Sequence, residues 1–177
     1  ALLHAESAGF LRRVYNEKKY NQELFVERMQ LTAELERFQG GEAVLFPLLG
    51  EAGQGKTNQL CHWTETLMQR GEAVLIMSGS DFSMISLEDK MRRVAGASSR
   101  KPVSKIMDAL HKCALEKGRT VTVFIDAVNE CLRYSGSDSE ENGPLDLYNS
   151  LCSVFCAGGY TQFKVLFTCR SYTWKNV

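Results

Sequence analysis

The stretch PLLGEAGQGKTNQL, residues 47–60, packs three glycines into six residues and follows them with Lys56 and Thr57. An apolar run, AVLFPLL at 43–49, precedes it. A segment of helical character at 56–70 follows and stops at Gly71. Glycine is poor inside helices and strands, so this density marks a turn whose backbone takes conformations a side chain forbids. Gly50, Gly55, Lys56 and Thr57 spell G-x-x-x-x-G-K-T between strand and helix, the setting of a phosphate-binding loop. In such a turn Gly50, Glu51, Ala52, Gly53, Gln54 and Gly55 present main-chain amides to phosphate oxygens. Lys56, Thr57 and Asn58 open the helix, whose N-terminus adds partial positive charge. Lys56 is expected to reach the β and γ phosphates of a nucleotide, and the Thr57 hydroxyl to ligate Mg²⁺. The Glu51 carboxylate would repel phosphate, so it is expected to face solvent.

Working outward, continuous apolar runs at 73–78 (AVLIMS), 121–126 (VTVFID) and 163–169 (FKVLFTC) have the composition of strands buried on both faces. Pro47 is awkward in a central strand. Helices are expected at 21–39, where Leu24, Arg28, Leu31, Leu35 and Phe38 recur at 3–4 spacing before Gly40-Gly41, and at about 145–157. A helical region in two pieces is expected over 86–118, and a polar loop over 135–144 (SGSDSEENGP). Strands alternating with helices imply an α/β fold with a mainly parallel sheet covered on both faces.

A phosphate loop alone hydrolyses nothing. Asp126 closes the third apolar strand, where a carboxylate is costly unless it meets a cation, and is placed to hold Mg²⁺. Glu130, four residues on, can polarise a water as general base. The fourth strand ends at Thr168 and Arg170, beside the third strand's end, where ligands bind in parallel sheets. Arg170 is expected to detect the γ-phosphate through charge-assisted bonds. Asp81 and Ser78 read as turn residues.

Bulk properties narrow the field. A length of 177 residues suits one domain with a sizeable core. Lys plus Arg and Asp plus Glu are both 21, so there is no basic excess to suggest nucleic-acid binding. No apolar run approaches membrane-spanning length, and ALLHAESAGFLRR is too short and polar for a secretory signal. The six cysteines contain no C-x-x-C pair and are expected to be free, buried thiols in a cytoplasmic protein; a zinc site at Cys152 and Cys156 lacks a second ligand pair. A guanine-reading N-K-x-D is missing, as is the L-S-G-G-Q of transport ATPases. A small-molecule kinase would need a substrate lid, for which Arg92-Arg93 and Arg100-Lys101 are the candidates.

GEAGQGKT, VFIDAVNE and KVLFTCR, in that order, resemble the nucleotide-binding core of the STAND class, the signal-transduction ATPases with numerous domains. That class includes the NACHT and NB-ARC types and bacterial antiviral members. The resemblance covers about residues 20–175. It implies a P-loop NTPase three-layer sandwich of the additional-strand class, strand order 5-1-4-3-2, with the fifth strand missing here. It implies ATP/ADP and Mg²⁺ as cofactors, Lys56 and Thr57 on phosphates and metal, Asp126 on Mg²⁺, Glu130 as base and Arg170 as the sensor arginine. Asn129 stands where many members have Asp. The division expected is an N-terminal helical segment at 1–40 packing on a P-loop domain at 41–177 that ends before the helical and winged-helix subdomains. Those missing subdomains and further copies on activation are the expected protein partners; neither membrane nor nucleic acid is expected. With no fifth strand, the first strand becomes an edge, to be covered by residues 1–40 or by a second chain. The class also places adenine against the segment before the first strand, here 36–45, with Phe38 or Val44 stacking. The implied function is a slowly hydrolysing ATP switch in signalling or defence. The alternatives are a P-loop kinase acting on a small molecule, or an association module that binds nucleotide poorly.

Overall fold

The computed structural model describes residues 2–132 and 143–175. Four strands form one parallel sheet: β1 (Leu45–Leu49), β2 (Ala73–Ser78), β3 (Val121–Asp126) and β4 (Phe163–Cys169). Their spatial order is β1-β4-β3-β2, the expected order without its fifth strand. Register pairs Leu45 with Val165, Val121 with Phe163 and Ala73 with Val121, so all four strands end on the same side.

Strand side chains alternate between faces, and two cores result. Val74, Ile76, Phe124 and Leu166 face α1 (Leu2–Asn16), α2 (Met29–Gly40) and α3 (Lys56–Gln69). Leu75, Met77, Val123, Ile125, Val165 and Phe167 face α4 (Leu87–Val94), α5 (Val103–Glu116) and α6 (Gly143–Leu151). The same parity puts Asp126 on the face of α3, because it follows Phe124 by two. From α3, Leu60, Trp63 and Leu67 are all buried against the sheet, each worth about 1.5–3 kcal/mol of burial. Leu60→Ala would open a cavity there, at a cost of about 2–5 kcal/mol.

Several expectations change. The helix expected over 21–39 starts only at Met29. Asn21 Oδ1 accepts the Glu23 N–H at 3.0 Å and closes a short 3₁₀ turn over Gln22–Leu24, followed by extended backbone. A side chain that satisfies a local amide competes with helix initiation, and Leu24 is 79% exposed rather than part of a helix face. The helix expected at 145–157 opens earlier, with Gly143 and Pro144 in its first turn, and passes into a π-helical turn over Cys152–Cys156. Up to residue 142, the expected polar loop lies outside the described residues.

Among the described residues no strand from 1–40 pairs with the outer edge of β1, although Phe38 of α2 packs on Phe46 of that strand. Instead α1 covers the opposite edge: the Ser7 hydroxyl donates to Val74 O at 3.0 Å and accepts from Ile76 N at 3.1 Å, satisfying the outer side of β2. Pro47 stands on the exposed edge strand β1, where its missing N–H costs no ladder bond. None of the six cysteines forms a disulfide; Cys61, Cys131 and Cys169 are buried, while Cys113 and Cys156 are exposed and Cys152 is half-buried, so burial does not extend to all six. Among the described residues no helix is long and apolar enough to cross a membrane, and no cluster of three or more His, Cys, Asp or Glu could hold a metal.

Candidate phosphate-binding site

The glycine loop leaves the end of β1, with the Gly50 N–H donating to Cys169 O at 3.3 Å. Gly53 and Gly55 both have positive φ, +76° and +74°. Gly55 is the cap of α3, so only a residue free of Cβ strain lets the chain turn directly into the helix. The helix thus begins beside the cavity that the ends of β3 and β4 also line. The loop is closed on itself: Gln54 Oε1 accepts the Glu51 N–H at 3.0 Å, and Lys56 Nζ donates to the carbonyls of Gly50 and Glu51 at 2.7 and 2.8 Å. Glu51 is exposed, as its charge requires.

Opposite the loop, Asp126 is 8% exposed. Thr57 Oγ1 donates to one carboxylate oxygen at 2.7 Å, and Thr168 Oγ1 to the other at 2.8 Å. Thr168 also accepts the Ala127 N–H at 2.7 Å, fixing the start of the turn after β3. Burial pushes the Asp126 carboxyl up from the ordinary carboxylate range; the two hydroxyl bonds, then the charges of Lys56 and Lys19, pull the other way. Ala127 has φ +56°, and its carbonyl would lie 2.2 Å from a Cβ at position 79, so β2 must be followed by glycine for this turn to form. Ser78 and Asp81 make a capping box over that next turn, as turn residues.

A cavity of about 360 Å³ lies between these parts. It brings together Ala52 through Asn58, Asp126, Glu130 and Arg170, all expected from sequence. Gly50 and Glu51 contribute to the loop but not to the cavity wall. Asn129 joins the wall and its Oδ1 accepts the Arg170 N–H at 3.2 Å, tying the turns after β3 and β4 together. Glu130 and Arg170 are exposed at the rim.

Phe38 and Val44 are not near it. Phe38 is buried against Phe46, ring centroids 5.2 Å apart, with Lys164 Nζ 5.5 Å above its ring. Val44 bonds to Val165 at the start of β4, so both residues belong to the far end of the sheet. Sequence reading missed two cations. Lys19 lines the cavity, and Arg28 brings its guanidinium within 3.5 Å of where a Cβ on Gly55 would stand. Neither shares a spacing pattern with the loop; both arrive there through the packing of 17–28. Of the lid candidates, Arg92 donates to Lys101 O at 2.8 Å and to Asp89 at 2.6 Å, which commits it to its own surface.

No protein-family model matches the sequence, and no curated protein matches it. Solved structures do. The Aeropyrum pernix ORC2 protein in its ADPNP-ADP complexes superposes at TM-score 0.55 and 17% identity over 90% of this chain and 45% of that one. The ADP form of that protein gives 0.51 and 19%, over 93% and 47%. The fold is that of a P-loop NTPase. The chain spans just under half the length of the ORC2 structures it matches.

Proposed function

We propose that this P-loop domain is the ATP-binding, slowly hydrolysing switch of a STAND-type signalling or defence ATPase. One observation carries the proposal: the Gly55-Lys56-Thr57 turn, Asp126, Glu130 and Arg170 converge on a single cavity although they come from three separate stretches of chain. The ADP and ADPNP bound to ORC2, on a similar fold, support an adenine nucleotide as the ligand. A phosphate chain would take the amides of Gly53 through Asn58 and draw Lys56 off the carbonyls of Gly50 and Glu51, exchanging internal bonds for charge-assisted ones. That exchange is a change of loop state coupled to occupancy, which is what a switch needs.

The donor set fits Mg²⁺. Thr57 and Asp126 supply hard oxygens 2.7 Å apart, and Mg²⁺ takes one or two carboxylates plus phosphates while keeping waters. When bound, it would neutralise charge building on the β and γ oxygens. Thr168 keeps the Asp126 carboxylate turned toward Thr57. Glu130 acts as base toward a water at the rim, and Arg170 engages the γ-phosphate. The bonds of Arg92 within its own surface count against a kinase lid. Contacts with C-terminal subdomains and with other copies would read out the state of the loop.

Glu130→Gln tests the assignment. Nucleotide affinity measured by calorimetry should stay within twofold, while phosphate release should fall by about 10²–10⁴. Equal loss of both would remove Glu130 from the chemistry. Rapid transfer to an added small-molecule acceptor would favour the kinase reading instead.

A further inference from the structure

The least explained charge at the site is Lys19. Helix α1 ends in a Schellman arrangement: Lys18 N–H donates to Tyr15 O at 2.9 Å and Lys19 N–H to Val14 O at 3.0 Å. The residue in the left-handed position is Lys18, φ +56°, where glycine is usual. On the other side Tyr20 is buried, its hydroxyl donating to Glu65 Oε2 of α3 at 2.6 Å. The Lys19 backbone is therefore pinned from both directions. Its side chain opens onto the phosphate-loop cavity and onto a second one, of about 400 Å³, between α1 and the end of β2. Five residues are common to both: Lys19, Thr57, Asp126, Ala127 and Glu130. Lys19 is the one cation of the five. The second cavity includes no residue of the Gly50–Gly55 loop, so the shared boundary lies on the side of Asp126 and Glu130.

We propose that Lys19 is a second phosphate-binding cation, which ties the N-terminal helix to the terminal phosphate of bound ATP. This deepens the ATP-switch reading and rests on it. Lys19 Nζ pairs with Glu17 at 2.8 Å, but both side chains are exposed, 66% and 44%, and such pairs are weak. A triphosphate tail carries more charge at the boundary than one solvated carboxylate, so the ammonium transfers to it. Helix α1 then gains an anchor at its C-terminal end, additional to Ser7 on β2 and to the buried Phe10 and Val14. ADP, lacking the terminal phosphate, leaves that anchor unmade.

The test uses calorimetric titration of Mg-ATP and Mg-ADP into the whole chain and into Lys19→Ala, with hydrogen exchange followed over 2–20. In the variant, ATP affinity should fall about tenfold, the low end for a charge-assisted bond, and ADP affinity should change less than twofold. ATP should slow exchange in α1 of the wild type but not of the variant. Thermal melting should be unchanged without nucleotide, since Lys19 is exposed. Equal effects on ATP and ADP, or none on either, would overturn the role of Lys19 and leave ATP binding standing. A wild type that binds neither nucleotide would overturn both.

Discussion

Two buried charges stand on the same face of neighbouring strands, at opposite ends of the sheet. Lys164, at the start of β4, is 3% exposed, and Asp126, at the end of β3, is 8% exposed. The Lys164 ammonium donates to the carbonyls of Gly41 and Ala43, the latter at 2.7 Å, and rests over the Phe38 ring. Its donors close the chain between α2 and β1, and no cavity reaches it among those described. Asp126 is held by two neutral hydroxyls and faces a cavity. Among the described residues no cation makes an ion pair with it. Burial penalises both charged forms, lowering the Lys164 pKa and raising that of Asp126. A buried charge whose bonds all go to its own backbone is a structural device. One oriented by hydroxyls at the open end of a parallel sheet is set up for something that binds.

The contrast can be broken by substitution. Asp126→Asn keeps the shape and removes the charge. Phosphate release should fall by about a hundredfold or more, and the gain in ATP affinity from added Mg²⁺ should vanish, while the unfolding midpoint in urea should not drop. A clear loss of stability would place Asp126 with Lys164 as a structural charge. Lys164→Met should do the reverse. Leaving the Gly41 and Ala43 carbonyls without their donor should cost about 1–3 kcal/mol in urea unfolding, with ATP affinity within twofold of wild type.

The smallest effect is in pH. The folded-state pKa of Asp126 lies above its unfolded value, so between the two the folded chain holds the extra proton. Its contribution is present below the unfolded value and is lost as pH rises through the raised one. Wild-type stability should therefore carry a decline across that window which Asp126→Asn lacks. Parallel pH profiles for the two proteins would contradict the shift.

The sheet was largely legible because three of its strands are buried on both faces. The runs at 73–78, 121–126 and 163–169 are apolar almost throughout and coincide with β2, β3 and β4. The first run, 43–49, is two residues longer than its strand: β1 begins at Leu45, after the Val44 carbonyl has accepted the Val165 N–H. The glycine turn before α3 was legible because Gly53 and Gly55 answer to local backbone geometry. Residues 17–28 were not. The spacing of Leu24 and Arg28 imitated a helix, while Asn21 supplied a local bond that ended one. Lys19 and Arg28 reach the site because Tyr20 meets Glu65 and Phe25 stacks on His62 at 4.2 Å, contacts between elements that no spacing encodes. Phe38 and Val44 were offered to adenine only through the resemblance, which puts the base against the segment before β1; here that segment packs at the other end of the sheet.

The most direct test is calorimetric titration of Mg-ATP against the wild type and Lys56→Ala. Wild type should bind, and the variant should lose about 2–4 kcal/mol of affinity, because an ammonium that gives up the Gly50 and Glu51 carbonyls for phosphate oxygens makes more than one charge-assisted bond. Equal affinity in the two proteins, or no binding to the wild type, would contradict a phosphate site at the start of α3.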